Sequence, residues 1–204
     1  MTLYNHARHL REATSSLLTQ SDGDFALLMV DDASTDETEM IAREYQQRDG
    51  RVHYVRHTER QGMVPTWREV ASIALSEYPN AEYFAWASDH DRWHPDWLAR
   101  LTRELDSHPN VVLAYPVCSW IDDDGAPVEK RPRRFSTYEI AVLRDRWSMF
   151  CHESVGAGDM VYGLTRLRAL RTAGIFRTVL RPDRLLLAEL TLQGEIHQIG
   201  RAHV

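Results

Sequence analysis

Two apolar patterns alternate along this chain. Phe25-Ala26-Leu27-Leu28-Met29-Val30 is an unbroken apolar run that stops abruptly at Asp31-Asp32. Such a run predicts a strand covered on both faces. Tyr83-Phe84-Ala85-Trp86-Ala87 repeats the pattern and runs into Ser88-Asp89-His90-Asp91. Further strands are expected at Val52 to Val55 and Val111 to Val117, with a strand-like stretch at Met160 to Leu164. Between them the apolar positions take helical spacing. Ala7, Leu10, Leu17 and Leu18 share one side of a helix that Asn5 is placed to cap. Ser34 and Glu37 fit a capping box for the next helix. Trp67, Val70, Ala71, Ala74 and Leu75 mark a helix with Pro65 near its first turn, and Pro95 opens one carrying Leu98, Leu101 and Leu105. Ser136 and Glu139 predict a capped helix reaching Trp147. Two more follow, one ending at Gly174 and one from about Pro182 to Leu192.

Alternating strands and helices with wholly apolar strands predict an α/β domain: a mostly parallel sheet with helices on both faces. Ligands of such sheets sit outside the carboxyl ends of the strands, where both acidic clusters fall. The 204 residues suit one domain, and 43% hydrophobic with 26% charged residues are ordinary globular values. A formal charge of −6 argues against a nucleic-acid partner, which draws on basic patches. No apolar run approaches the ~20 residues of a transmembrane helix and no signal peptide is visible, so the expected location is cytoplasmic, with membrane association open to a longer protein. Cys118 and Cys151 lack metal-type spacing and read as two buried free thiols.

Asp89, His90 and Asp91 offer hard and borderline ligands within three residues, suited to Mn²⁺ or Mg²⁺. A solvated acidic loop is the plainer alternative. Neither a P-loop nor a dinucleotide-type glycine loop is present, so a bound diphosphate would need a metal for countercharge. His90 and His94 stand four apart, as zinc ligands on a helix would, but Pro95 spoils that geometry. Asp32 either accepts hydrogen bonds from a ligand or caps the following helix. Asp183, after Arg181-Pro182, is either a first-turn acid or a general base. Gly156 and Gly158 sit in an expected loop that allows close backbone approach.

Taken in order, Tyr4-Asn5, Val30-Asp31-Asp32-Ala33-Ser34-Thr35-Asp36, Ala87-Ser88-Asp89-His90-Asp91-Arg92-Trp93-His94-Pro95, Met160-Val161-Tyr162-Gly163-Leu164 and Asp183-Arg184-Leu185-Leu186-Leu187 resemble the family 2 inverting glycosyltransferases of the GT-A fold. The resemblance covers nearly the whole chain. It implies that Thr2 and Tyr4 lie beside the nucleotide base and that Asp32 accepts the base's imide N–H. It places Asp89 at the ribose or the metal, His90 and Asp91 at the metal, and Asp183 as catalytic base. The donor implied is a nucleoside-diphosphate sugar, UDP-sugar first, with a glycan, lipid-linked or protein hydroxyl as acceptor. A sugar-phosphate nucleotidyltransferase is the alternative enzyme, but it would carry a glycine-rich basic loop after Tyr4. A non-catalytic nucleotide-sugar-binding fragment is the alternative outside enzymes.

This chain departs from the family pattern in three places. His90 stands where a carboxylate is usual, Arg60-Gln61-Gly62 lacks an asparagine before the glycine, and the first strand of the fold is expected to be missing ahead of Tyr4. Ile199-Gly200-Arg201-Ala202-His203-Val204 is what one frame of a common sequencing adapter encodes. Residues 1–198 are therefore expected to form an incomplete GT-A domain, and residues 199–204 a non-native tail.

Overall fold

The computed structural model describes residues 1–130, 134–154 and 158–200. Gly156 and residues 201–204 of the expected tail lie outside the described residues. Strand β1 (Thr2–Leu3) leads into helix α1 (Ala7–Leu18), then β2 (Leu27–Asp31), α2 (Thr38–Arg48), β3 (Val52–Arg56) and α3 (Met63–Glu77). Next come β4 (Tyr83–Phe84), α4 (Trp97–Ser107), β5 (Val111–Pro116) and a hairpin of β6 (Trp120–Ile121) and β7 (Pro127–Val128). Helix α5 (Leu143–Glu153), β8 (Leu164–Arg166), α6 (Leu167–Thr172), α7 (Pro182–Gln193) and β9 (Glu195–Ile199) complete the described order.

Strands β1, β2 and β3 pair in parallel in that order, and β4-β8-β5-β9 form a second ladder in which β5 and β9 are parallel and β8 runs antiparallel. All five residues of β2 are buried, as its apolar run requires. One core under α1 and α4 includes Leu10, Leu17, Leu101 and Leu105. A second core stacks Trp67 on Trp86 at 5.8 Å and sets Phe84 and Phe176 edge-on or tilted against them. Trp86 also donates its indole N–H to the Trp67 carbonyl at 3.2 Å, so the aromatic floor beneath the strand ends is fixed in orientation.

Several expectations need correction. The first strand is present as a short ladder, in which the Val30 N–H bonds the Met1 carbonyl and the Asp32 N–H bonds that of Leu3. The Met1 ammonium is buried and donates to the Leu28 carbonyl at 2.7 Å, and burial pushes it down to about 5. Beyond it a groove of about 900 Å³, lined by Phe25, Leu28, Tyr83 and Phe84 among others, separates β2 from β4. Asn5 is not the cap of α1: it has φ 53 and its Oδ1 accepts the Thr35 N–H at 2.8 Å, while Asp36 accepts the Ala7 N–H. No capping box joins Ser34 and Glu37, because Ser34 donates its hydroxyl to Asp31 and Asp36 accepts the Thr38 N–H. The fifth helix begins at Leu143, since Ser136 bonds the Ile196 carbonyl and Glu139 takes φ 64. Residues 158–162 form a 3₁₀ turn before the short strand β8. Cys118 and Cys151 are free, but Cys151 is exposed. Among the described residues no helix is long and apolar enough to cross a membrane.

Gly163 lies against β5. A Cβ there would stand 2.6 Å from the Ala114 carbonyl oxygen and 2.8 Å from Tyr115 Cβ. Gly163→Ala is therefore expected to cost about 1–3 kcal/mol of stability, because backbone and a Cβ cannot yield as a flexible side chain can. Thermal denaturation checks this, and an unchanged melting temperature would refute it.

Candidate active site

The adjacent aspartates at the end of β2 have separate tasks. Asp31 is fully buried; its Oδ1 accepts the Ser34 N–H and hydroxyl, and its Oδ2 accepts the Tyr54 hydroxyl at 2.7 Å. It shapes the turn. Asp32 points to the loop ahead of α3, where Oδ1 accepts the Gln61 N–H at 2.6 Å and Oδ2 the Gly62 N–H at 2.8 Å. His57 Nδ1 lies 3.0 Å from the same Oδ1, and its Nε2 lies 2.6 Å from Glu69 on α3. Burial would raise the Asp32 pKa, but the hydrogen bonds from Gln61, His57 and Gly62 outweigh it and hold the carboxyl below its usual range. A carboxylate has about four acceptor positions; Oδ2 takes the Gly62 N–H and faces Arg60 Nε at 3.9 Å, which leaves one position without a direct hydrogen bond.

Histidine 57 was not singled out in the sequence, since nothing local marks it. Burial works against its charge, yet the bonds to Asp32 and Glu69 raise its pKa above the ordinary value. A group raised in this way contributes stability that is fully present below its unfolded pKa and is lost as pH rises through the folded one. The stability advantage of the native chain over His57→Gln should therefore be largest below about pH 6 and shrink by about pH 9. Denaturant titrations at both pH values measure it, and an advantage that grows with pH would contradict it.

The Arg60 guanidinium links Tyr4 to Asp32, lying 4.0 Å over the Tyr4 ring and 3.9 Å from Asp32 Oδ2. Thr2 is half-buried in β1 opposite Val30. Asn5 (φ 53) and Ala33 (φ 59) both hold left-handed backbone at this rim, strain that collects at functional sites.

Asp89 follows β4 and is buried. Its Oδ2 accepts the Tyr4 N–H at 3.2 Å, and its Oδ1 lies 2.8 Å from Nδ1 of both His90 and His6. Burial would raise its pKa, but His90, His6 and the Tyr4 N–H together lower it. His90 is raised, first through its hydrogen bond to Asp89. His6, 83 residues before Asp89, is the second residue missed in the sequence. Asp91 is exposed and stands outside this cluster, and His94 turns its Nδ1 to the Asp96 N–H. The zinc-like His90/His94 pair is not formed.

Asp183 occupies the first turn of α7, behind Pro182 and a left-handed Arg181 (φ 57). The Tyr162 hydroxyl is pushed up to about 12 by burial, then by Asp91, Asp89, Asp159 and Asp183. Tyr162 in turn packs edge-on against Trp67 of the aromatic floor at 5.7 Å.

Residues 1–158 match the family model for glycosyl transferase family 2. The chain belongs to this family. Among family relatives, the putative teichuronic acid biosynthesis glycosyltransferase TuaG of Bacillus subtilis is 28% identical over 127 residues, 62% of this chain and 48% of that protein. The chain spans about half the length of the curated relatives it matches. The fold is shared with S. aureus TarS 1-349 (TM-score 0.72, 16% identity, 97% of this chain and 56% of that one), which has also been solved with UDP-GlcNAc. It is shared too with the mannosyltransferase PcManGT of Pyrobaculum calidifontis, solved with GDP-Man and Mn²⁺ (TM-score 0.68, 17% identity, 98% and 53%). This is the GT-A α/β architecture of glycosyltransferases.

Proposed function

We propose that this protein transfers a sugar from a nucleoside-diphosphate sugar to an acceptor hydroxyl, inverting the anomeric centre. The observation that carries this reading is the convergence of His6, Asp89 and His90 in a chain of glycosyl transferase family 2, with Asp183 in the first turn of α7. The nucleotide base sits between Tyr4 and Asp32 with Thr2 alongside, and the free acceptor position of Asp32 receives an imide N–H. Uracil is the base proposed, in keeping with the UDP-sugar bound by TarS.

The residues at Asp89 fit a divalent ion: three ligand atoms of His6, Asp89 and His90 all lie within 4.8 Å of one another. Asp89 and His90 would hold Mn²⁺ or Mg²⁺, with Asp91 at the rim. Such an ion supplies positive charge to a departing diphosphate. Asp183 takes the proton of the acceptor hydroxyl as its oxygen attacks the anomeric carbon. The carbon–oxygen bond to the diphosphate breaks, and the nucleoside diphosphate leaves with the electron pair.

Incubation with UDP-GlcNAc and Mn²⁺, read by proton NMR at the anomeric position, tests the reaction with water or a supplied sugar as acceptor. Release of UDP with a product of inverted configuration is expected. Retained configuration would overturn the single-displacement mechanism, and no release with any nucleotide sugar would overturn the activity.

A further inference from the structure

Two imidazoles from distant segments direct the same ring nitrogen at one carboxylate oxygen. His6 comes from the turn before α1 and His90 from the loop after β4, with ring centroids 4.7 Å apart and edge to face. Asp89 is buried at 6% side-chain exposure, while His6 and His90 are 46% and 50% exposed. The Tyr4 N–H occupies the other Asp89 oxygen, so Oδ1 is the one left facing the rings. Among the described residues this is the one set of three histidine, cysteine or acidic side chains whose ligand atoms all lie within 4.8 Å of one another. A comparison within the molecule shows what mere packing looks like. His108 and His197 also meet one oxygen of Glu104, but His108 Nδ1 is shared with the Glu104 carbonyl and His197 is stacked on Tyr138 at 4.0 Å. Those rings are also less open, at 35% and 21% side-chain exposure.

We propose that His6 is a ligand of the metal centre, and that the His6–Asp89–His90 set selects a borderline ion such as Mn²⁺ or Co²⁺ over Mg²⁺. The inference rests on the metal-dependent reading given above. Mg²⁺ prefers oxygen ligands in near-ideal octahedral geometry, whereas affinity at nitrogen-containing sites rises along the first-row ions from Mn²⁺ to Co²⁺. Charge supports the same conclusion. A dication with one carboxylate and two neutral imidazoles keeps one net positive charge, where two carboxylates would cancel it. A chain without a phosphate-cradling glycine loop needs that surplus against a diphosphate.

Calorimetry of the full chain with Mn²⁺, Co²⁺ and Mg²⁺, in the presence of UDP, tests selectivity. Spin-echo spectroscopy of bound Mn²⁺ detects imidazole nitrogen directly. Mn²⁺ and Co²⁺ should bind at least about ten-fold more tightly than Mg²⁺. His6→Ala should weaken Mn²⁺ about ten-fold and reduce the nitrogen modulation, and His6→Asp should move the preference toward Mg²⁺. Unchanged Mn²⁺ affinity and nitrogen modulation in His6→Ala, with binding lost in Asp89→Asn, would overturn the role of His6 and leave the metal reading intact. Equal affinity of the native chain for all three ions would overturn the selectivity. Absence of binding by any of them would bring down the metal reading itself.

Discussion

Asp183→Asn is expected to slow sugar transfer by about 100- to 10,000-fold while leaving donor affinity within about two-fold. A general base acts on the proton in flight, so its loss falls on kcat more than on ground-state binding. The position suits this test. Pro182 and the left-handed Arg181 fix how the chain enters α7, and Asp183 is half-buried in its first turn. Asparagine keeps the shape and removes only the basic oxygen. Single-turnover transfer and UDP calorimetry on the same preparation separate the two effects. Wild-type transfer by Asp183→Asn would move the base to another carboxylate.

Asp89→Asn should have the opposite signature. Asp89 is the one carboxylate shared by Tyr4, His6 and His90, and it is buried. Changes to groups that merely support a metal ligand cost about 10–100-fold in metal affinity, so loss of a ligating carboxylate is expected to cost about a hundred-fold or more. Both Mn²⁺ and donor binding should fall by that order, with kcat measurable only at saturating metal. Titration of Mn²⁺ and of UDP into the variant measures both. Donor binding at native strength would separate the nucleotide from the metal.

The places of those two carboxylates in the fold, after a strand and at a helix start, were legible in the sequence because each ends or follows a pattern with strong local character. An apolar run broken by acid marks a strand end, and a proline followed by an acid and an apolar run marks a helix start. Local rules failed where the partner was distant. Ser34 and Glu37 have capping-box spacing, but the buried Asp31 competes for the Ser34 hydroxyl and wins. Ser136 and Glu139 copy the same pattern, yet Ser136 is drawn to the Ile196 carbonyl and the Glu139 N–H to Glu195. Strand β9 went unseen because Glu195-Ile196-His197-Gln198-Ile199 has two apolar residues in five, and only pairing along β5 makes it a strand. Ile199, expected to begin a foreign tail, is the last residue of that strand. His6 and His57 carried no signal at all. Their meaning lies in Asp89 and Asp32, which the fold brings to them from 83 and 25 residues away.

The proposed reaction depends on a nucleoside diphosphate held through a metal at Asp89. Calorimetric titration of UDP into the full chain, once with Mn²⁺ and once with a chelator, addresses this directly. Affinity should be at least about ten-fold higher with the ion, since no glycine-rich loop supplies backbone donors for the phosphates. Equal affinity in the two conditions would contradict it.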